Sequence, residues 1–259
     1  MVLAWIFGKI SRIIQNTAGT YAYTQKTFGE LTAFIVGWGY WLSIWATNAA
    51  ISLTFTCYLS VFLPVLTEPF WTAFSCIAVI WLLTALNAWS VKAGGRMQLT
   101  TTILKVIPIM TIAIGGIFVF NAEHFVPFNL SESSSIQAIT VSSSLCLFAF
   151  MGLEAASIPA GNIKNPEKNI SKATIGGVMI VIFIYLFSSL SLFGILPPSA
   201  VENSLAPFSD AAQELYGANA RYLVAAGACI STFGALNGWI LIQGQMPMAM
   251  AKDKLMPNL

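Results

Sequence analysis

Long apolar runs alternate with short polar connections along the whole chain. A run of about 20 apolar residues is long enough to cross the hydrocarbon of a bilayer as an α-helix. Prolines fall in the connections between the runs, where helices are expected to stop. The first run is the longest, so its helix should tilt or extend beyond the bilayer. We predict six full membrane spans, at residues 31–62, 70–89, 98–120, 137–160, 173–196 and 220–246.

Local signals predict where some helices begin, end and pack. In the segment NPEKN, Asn165 suits an N-cap and Pro166 suits the first position of a helix. The segment APFSDAAQELYG has the spacing of a short amphipathic helix that ends at Gly217. The paired glycines of AIGGIF and TIGGVMI are expected to let helix backbones approach closely.

The composition agrees with a membrane protein. Of the 259 residues, 57% are hydrophobic and 8% are charged, against about 25% charged residues in an average soluble domain. The mean hydropathy is +0.76. A soluble fold of this size needs more polar surface. We therefore predict an all-α integral membrane fold, with six full transmembrane helices and an N-terminal partial one in a single domain over residues 1–259.

The distribution of basic residues predicts the orientation of the spans. Ten of the twelve Lys and Arg residues lie in the segments 9–27, 90–97 and 161–172 or in the C-terminal tail. Lysine and arginine accumulate in the cytoplasmic connections of membrane proteins. We therefore expect these segments to be cytoplasmic, in a multi-pass protein of the cell inner (cytoplasmic) membrane.

One carboxylate interrupts the fourth apolar run. Glu154 lies in the stretch FAFMGLEAAS, two residues after Gly152, and Pro159 removes a backbone hydrogen bond of the helix. A charge at the bilayer centre costs about 2.5–3.5 kcal/mol on insertion scales, so such residues normally face the protein interior or a wet cavity. We predict an unwound joint near residues 150–153, as in many secondary transporters. The alternative is a neutral glutamic acid that is bonded to a neighbouring helix.

A second charge, Lys105, lies in the third apolar run, seven residues from its expected cytoplasmic end. One interpretation is that the ammonium group reaches the interface along its apolar stem. The functional alternative is a buried amine that loses its proton during a transport cycle or replaces a bound sodium ion. The sequence leaves both interpretations open.

Aromatic rings and amides are concentrated in two of the runs. In the first, one helix face is predicted to carry Tyr40, Ile44, Thr47 and Asn48. In the last, one tryptophan lies among three amides, namely Asn237, Trp239, Gln243 and Gln245. Aromatic faces can hold ammonium or guanidinium groups at about 0.5–2 kcal/mol each, whereas most tryptophans in membranes are core or interface residues.

The remaining reactive residues form no recognisable catalytic or metal-binding group. The four cysteines lie inside apolar runs without ligand spacing, which disfavours both a metal site and a disulfide framework. The sequence contains no nucleophile elbow, phosphate-binding loop or metalloprotease motif. We therefore expect neither an enzyme nor a cofactor, and neither a metal nor a nucleic acid partner.

Four of these segments, in this order and spacing, resemble the amino acid–polyamine–organocation transporters, especially the bacterial arginine/agmatine antiporter group. AGTYAYTQKTFG is similar to the segment before the family's third helix, and FAFMGLEAAS to the break in its sixth helix. NIKNPEKNISKATIGG resembles the link from the sixth to the seventh helix, and LNGWILIQGQMPMAMAKDKLMP the eighth helix and its exit. The resemblance implies two inverted five-helix repeats, with alternating access to a site at the membrane midplane.

The resemblance also implies substrate-binding side chains. Phe148 lies where the antiporters have a gating tryptophan over the bound guanidinium, and Trp239 matches a second aromatic residue of that site. Tyr40 matches an outer gate residue, and Asn48 matches an amide that contacts the substrate.

The resemblance also implies roles for backbone groups and for titratable side chains. The backbone of Ala149, Met151 and Gly152 would offer hydrogen bonds to the substrate. Glu154 matches a carboxylate that is implicated in proton sensing, and Lys105 resembles a lysine that replaces sodium in proton-coupled members. The resemblance thus implies secondary active transport of amino acids or amines, linked to protons, with exchange and symport both open.

Two departures from the family pattern bear on this interpretation. Phe148 replaces the tryptophan, which weakens the case for arginine as the substrate. In family terms the chain runs from late in the second helix to just after the eighth, and its first residues, MVLAWIFGKISR, look like the end of a span rather than a signal peptide. The alternative is therefore a truncated or degenerate membrane fragment without transport activity of its own. Expected partners are an amino acid or amine substrate, protons and membrane lipid, with a homodimer as a further option.

Overall fold

A computed structural model of the chain describes residues 3, 5, 6, 9, 10, 19–89, 106–149, 152 and 166–256. These residues form α-helices joined by turns and by two short 3₁₀ helices, and they include no β-strand. The predicted all-α class is confirmed. The α-helices are α1 Thr20–Phe28, α2 Glu30–Leu59, α3 Pro69–Trp89, α4 Val106–Phe118, α5 Ser135–Ala149, α6 Pro166–Ile195, α7 Pro198–Asn203, α8 Pro207–Tyr216 and α9 Ala218–Lys252.

Each predicted span coincides with one of these helices. Four of them, α2, α3, α6 and α9, are long and apolar enough to cross a membrane. Helices α4 and α5 are apolar but shorter. The predicted spans continue from them into residues 98–105 and 150–160, of which only Gly152 lies within the described residues. Helix α2 has 30 residues and α9 has 35, so both exceed the roughly 20 that a straight crossing needs.

The long helices carry large apolar side chains on exposed faces. Trp81 of α3 is 69% exposed and Phe118 of α4 is 83% exposed. Similar faces on α6 and α9 present Phe183 and Leu223. Monomeric soluble proteins rarely expose large continuous apolar patches. These faces therefore suit contact with lipid tails, as the composition predicts.

The predicted end of the amphipathic helix is confirmed. This helix is α8, which buries Ser209 and Ala212 and ends at Tyr216 with Gly217 as its C-cap. Pro166 is the first described residue of α6, and the predicted N-cap Asn165 lies outside the described residues. Gly217 has φ 88°, a left-handed conformation that glycine adopts without steric strain. Helix α7 is an addition to the predicted elements.

The described residues divide into two compact units. The first unit comprises Met1–Tyr40, Phe125–Phe183 and Gln245–Leu259. The second unit comprises Trp41–His124 and Ile184–Gly244. Each unit has its own buried contacts, which are described separately below.

In the first unit, the Tyr-Ala-Tyr segment at the start of α1 is buried and contacts the end of α9. Tyr21 Oη donates a hydrogen bond to Asp253 Oδ2 over 2.9 Å. Burial, and secondly this hydrogen bond to Asp253, raise the pKa of Tyr21, so its phenol remains a donor at neutral pH. Gly37 leaves room for this packing, since a Cβ there would lie 3.1 Å from both Tyr21 Cδ2 and Met250 Sδ. Two of the segments that carry the family resemblance are thus in direct contact.

One core of the second unit joins α4, α6, α8 and α9. Its buried residues are Ile112, Leu192, Ile195, Leu196, Ala211, Ala212 and Val224. Hydrogen bonds reinforce this apolar core, because Ser191 Oγ donates to the carbonyl oxygen of Ala113 over 2.8 Å. Tyr216 Oη at the end of α8 donates to the carbonyl oxygen of Thr111 over 3.0 Å. The short helix α8 is therefore fixed to α4 by both apolar and polar contacts.

A second core of the same unit joins α2, α3 and α9. Val79 and Leu83 of α3 pack with Leu236 of α9. The hydroxyl of Thr56, fully buried in α2, donates to the carbonyl oxygen of Ser52 and lies 3.1 Å from Ser75 Oγ of α3. This core aligns α2 beside α9, which brings the two amide-rich runs together.

The two glycine pairs differ in what surrounds them. In AIGGIF, a Cβ on Gly116 would overlap the side chain of Ser191 and lie 3.0 Å from its Cα. The prediction of close packing is therefore confirmed for this pair. In TIGGVMI, a Cβ on Gly176 or Gly177 would meet no described atom within 4 Å. For the second pair the prediction of close packing is wrong within the described residues, since this part of α6 faces open space there.

We predict that Gly116→Ala destabilises the protein and that Gly176→Ala does not. The new methyl group at position 116 must displace the backbone of α6, and such overpacking costs about 1–3 kcal/mol. At position 176 the same change only adds helix propensity. The thermal unfolding of detergent-purified variants measures both effects, and equal unfolding temperatures for the two variants would contradict the close packing of α4 on α6.

Candidate functional site

The predicted polar face of α2 is buried. Ile44, Thr47 and Asn48 are all buried, whereas Leu42 and Trp45 on other faces are exposed. Thr47 Oγ1 donates to the carbonyl oxygen of Ser43, so its hydroxyl is satisfied within the helix. Asn48 is therefore the residue on this face whose polar group must find a partner outside α2. Tyr40, the fourth predicted member of the face, is half-buried.

Asn48 finds that partner on α9. Its Nδ2 donates a hydrogen bond to Gln243 Oε1. The backbone carbonyl oxygen of the same glutamine accepts a hydrogen bond from Trp41 Nε1 over 3.0 Å. Trp41 also packs edge-to-face on Trp45, with ring centroids 4.6 Å apart. Gln243 thus joins α9 to two residues of α2 that lie two helical turns apart on one face.

The other half of the Asn48 amide has no such partner. Asn48 Oδ1 is buried and accepts no hydrogen bond from the described residues. A buried acceptor without a donor costs about 1–3 kcal/mol. Such an atom is a ready acceptor for an N–H group of a bound molecule, as the proposed substrate contact requires.

A second amide pair joins α3 to α9. Asn87 Nδ2 donates to Asn237 Oδ1 over 2.9 Å and to the carbonyl oxygen of Leu83 over 3.0 Å. Asn237, one of the three amides noted in the same run as Trp239, is therefore engaged in a contact between helices. Asn87 was missed by sequence reasoning, although an amide in the otherwise apolar run of α3 was the available signal.

Trp239 lies one helical turn before Gln243 on α9. Residues four apart occupy the same helix face, so Trp239 and Gln243 share one face of α9. Trp239 is half-buried, and Gln245, the last predicted amide, is half-buried as well. The second unit thus places two predicted substrate contacts, Asn48 and Trp239, next to one glutamine.

The predicted interruption of the fourth span coincides with the end of α5. The structure describes α5 as far as Ala149, and Gly152 has φ 98°, a conformation that right-handed helices do not contain. For Phe148 and Ala149 the structure describes the helical backbone, whereas Met151 and Glu154 lie outside the described residues. Lys105, in the predicted third span, lies outside them too.

A separate cavity in the second unit does not coincide with any predicted site residue. It has a volume of about 190 Å³ and lies between α2, α4, α8 and α9, with Tyr58, Pro108 and Phe208 among its lining residues. Thr232 also lines it, but its hydroxyl donates to the carbonyl oxygen of Ala228. The described residues contain no group of three or more His, Cys, Asp or Glu side chains that could hold a metal ion.

Comparison with known proteins gives a consistent set of relatives. A cadaverine/lysine antiporter of Escherichia coli K12 is 30% identical over 262 residues, which cover 100% of this chain and 58% of that protein. A putative arginine/ornithine antiporter of Bacillus subtilis is 27% identical, covering 97% of this chain and 60% of its own length. A putrescine transporter of Haemophilus influenzae is 29% identical, covering 98% of this chain and 59% of its own length.

The chain thus spans 58–60% of the length of these relatives. The sequence profile of the amino acid permease family matches all of it, over residues 1–259. This match confirms the resemblance found in the four sequence segments. The chain therefore belongs to the amino acid permease family, within the amino acid–polyamine–organocation superfamily of membrane transporters.

Proposed function

We propose that the protein containing this chain carries out secondary active transport of amino acids, or exchange of amino acids and amines, across the inner (cytoplasmic) membrane. The observation that carries this proposal is the left-handed backbone of Gly152, φ 98°, three residues after the last described residue of apolar helix α5. Inside a membrane, backbone groups freed from a helix must face protein or a wet cavity. Discontinuous helices of this kind bind substrates in many secondary transporters.

The substrate class we propose is a cationic amino acid or amine. The relatives are named for cadaverine, lysine, arginine, ornithine and putrescine, all of which carry an ammonium or guanidinium group. In the proposed site, Trp239 and Phe148 offer aromatic faces to such a cation. Tyr40 acts as a gate, Asn48 contacts the substrate, and the backbone of Ala149, Met151 and Gly152 donates or accepts hydrogen bonds.

Proton linkage is the second part of the proposal. Glu154 and Lys105 are charged residues in the interior of predicted spans, whereas Arg221 lies at the very start of the last one. Ionisable groups at membrane depth are costly, and they commonly mark proton or ion pathways. Glu154 would exchange a proton during the cycle, and Lys105 would supply a fixed or titrating positive charge.

We propose one transporter domain with segments 9–27, 90–97, 161–172 and the C-terminal tail in the cytoplasm. The support is the placement of ten of the twelve basic residues in these segments. Arg221, an exception, pairs with Asp210 over 3.4 Å.

The family consists of transporters, so we propose no enzymatic activity. The alternative is a membrane fragment without transport activity of its own. The next experiment distinguishes this alternative from a transporter.

The proposal predicts exchange of cationic substrates in proteoliposomes. Vesicles that contain the full-length protein and unlabelled lysine should take up labelled lysine, putrescine or arginine faster than neutral or acidic amino acids. Trp239→Ala should slow this exchange about tenfold, equivalent to about 1.4 kcal/mol, by removing a cation–π contact. The lipid-facing Trp81→Ala is the matched control and should exchange like the wild type.

Two results would count against this proposal. Wild-type vesicles that take up none of the tested substrates would favour the fragment alternative. Normal exchange by Trp239→Ala would remove this tryptophan from the site while leaving the transport function in place.

The proton-linked part predicts that Glu154→Gln flattens the pH dependence of exchange. The amide cannot gain or lose a proton in this range, so uptake should no longer change between acidic and neutral pH. Glu132→Gln, which removes an exposed carboxylate between α4 and α5, should keep the wild-type profile. An unchanged pH profile in Glu154→Gln would exclude Glu154 as the proton-sensing group.

A further inference from the structure

We propose that Gln243 is a positioning residue that orients the Asn48 amide and so sets the preference of the site for N–H donors. This inference rests on the proposed function, because Asn48 is a substrate contact only in that proposal. It adds a residue for which the family resemblance implies no role. Three observations carry it: the direction of the Asn48–Gln243 hydrogen bond, the attachment of Gln243 to α2, and the unpartnered oxygen of Asn48.

The direction of the hydrogen bond determines what Asn48 can present. A carboxamide has an NH₂ group that only donates and an oxygen that only accepts. Asn48 Nδ2 donates to Gln243 Oε1, so the NH₂ group is engaged. Rotation of the Asn48 amide alone by half a turn would place Asn48 Oδ1 against Gln243 Oε1, where two acceptors repel each other. With its own amide in the orientation that the structure shows, Gln243 therefore selects one of the two orientations of Asn48.

Gln243 is itself held in place by α2. Its backbone carbonyl oxygen accepts from Trp41 Nε1 over 3.0 Å. Trp41 and Asn48 are seven residues apart, so both lie on the face of α2 that meets α9. The side chain of Gln243 thus starts from a backbone position that is tied to α2, and its oxygen accepts from Asn48.

The remaining group is the oxygen of Asn48. It is buried, with Asn48 only 4% exposed, and no described residue donates to it. An ammonium or guanidinium N–H group that reaches this oxygen relieves an unsatisfied acceptor. A carboxylate or carbonyl oxygen at the same place would leave two acceptors facing each other. The orientation set by Gln243 therefore favours cationic over anionic groups at this position.

The Asn87–Asn237 pair provides a matched control on the same helix. It too joins α9 to a neighbouring helix through a donated amide hydrogen bond. Neither asparagine has a buried polar atom without a partner. Loss of the Asn87–Asn237 hydrogen bond should therefore weaken the packing of α3 on α9 without changing the acceptor Asn48 Oδ1.

The test compares substrate affinity in variants of the full-length protein. Gln243→Met keeps the length of the side chain but removes the acceptor, and it should raise the KM for lysine exchange about tenfold. Gln243→Glu keeps an oxygen acceptor for Asn48 Nδ2 and should restore a KM within about threefold of wild type. Asn87→Leu should lower the unfolding temperature while leaving the KM for lysine unchanged.

A double variant tests whether Gln243 acts through Asn48. If it does, Asn48→Ala combined with Gln243→Met should have the same KM as Asn48→Ala alone, because the orienting contact has nothing left to orient. If instead the KM of the double variant rises by the product of the two single effects, the residues act independently and the proposal is overturned. A wild-type KM in Gln243→Met would overturn it too, whereas a wild-type protein that exchanges nothing contradicts the proposed function instead.

A second measurement serves if Gln243→Met does not fold. Asn48→Asp presents acceptors only, so in the presence of lysine it should keep the thermal stabilisation seen in the wild type. Asn48→Leu, which presents none, should lose that stabilisation. Loss in both variants would mean that the substrate uses the NH₂ group of Asn48, which would overturn the proposal.

Discussion

Hydrocarbon offers no hydrogen bonds, so every polar group that this chain places in a membrane needs a partner within the protein. Hydroxyl groups on exposed turns meet this need locally: Thr140 Oγ1 donates to the carbonyl oxygen of Ile136, and Ser144 Oγ to that of Thr140. Carboxamides have more donors and acceptors than their own helix can satisfy. They lie instead on faces between helices, where Asn48 meets Gln243 and Asn87 meets Asn237.

The same requirement makes incomplete pairing a mark of a candidate site. In the second unit, Asn48 uses its donor and keeps a buried acceptor without a partner among the described residues. In the first unit, Gly152 has φ 98°, which a right-handed helix does not contain. Each feature is a cost in a purely structural membrane helix, and each serves the proposed function, which needs polar groups that are free to bind a substrate.

Much of this arrangement could be predicted from the sequence, because it depends on local rules. The spans follow from run length, and the end of α8 follows from Gly217. The buried face of α2 follows from helical spacing. The pairing of amides could not be predicted, since it depends on which turns of α2, α3 and α9 lie side by side. Asn87 was missed for that reason, and the contrast between Gly116 and Gly176 has the same cause.

The central claim is that the interruption at Gly152 opens onto a wet, substrate-accessible cavity. The most direct measurement is the reactivity of Met151→Cys, in protein whose native cysteines are replaced, toward a charged, membrane-impermeant thiol reagent. Ile139→Cys, on an exposed apolar turn of α5, is the matched control. The account predicts that Met151→Cys reacts and that lysine slows the reaction, while Ile139→Cys stays unreactive. If Met151→Cys is as unreactive as Ile139→Cys, there is no wet cavity at the interruption and the claim is wrong.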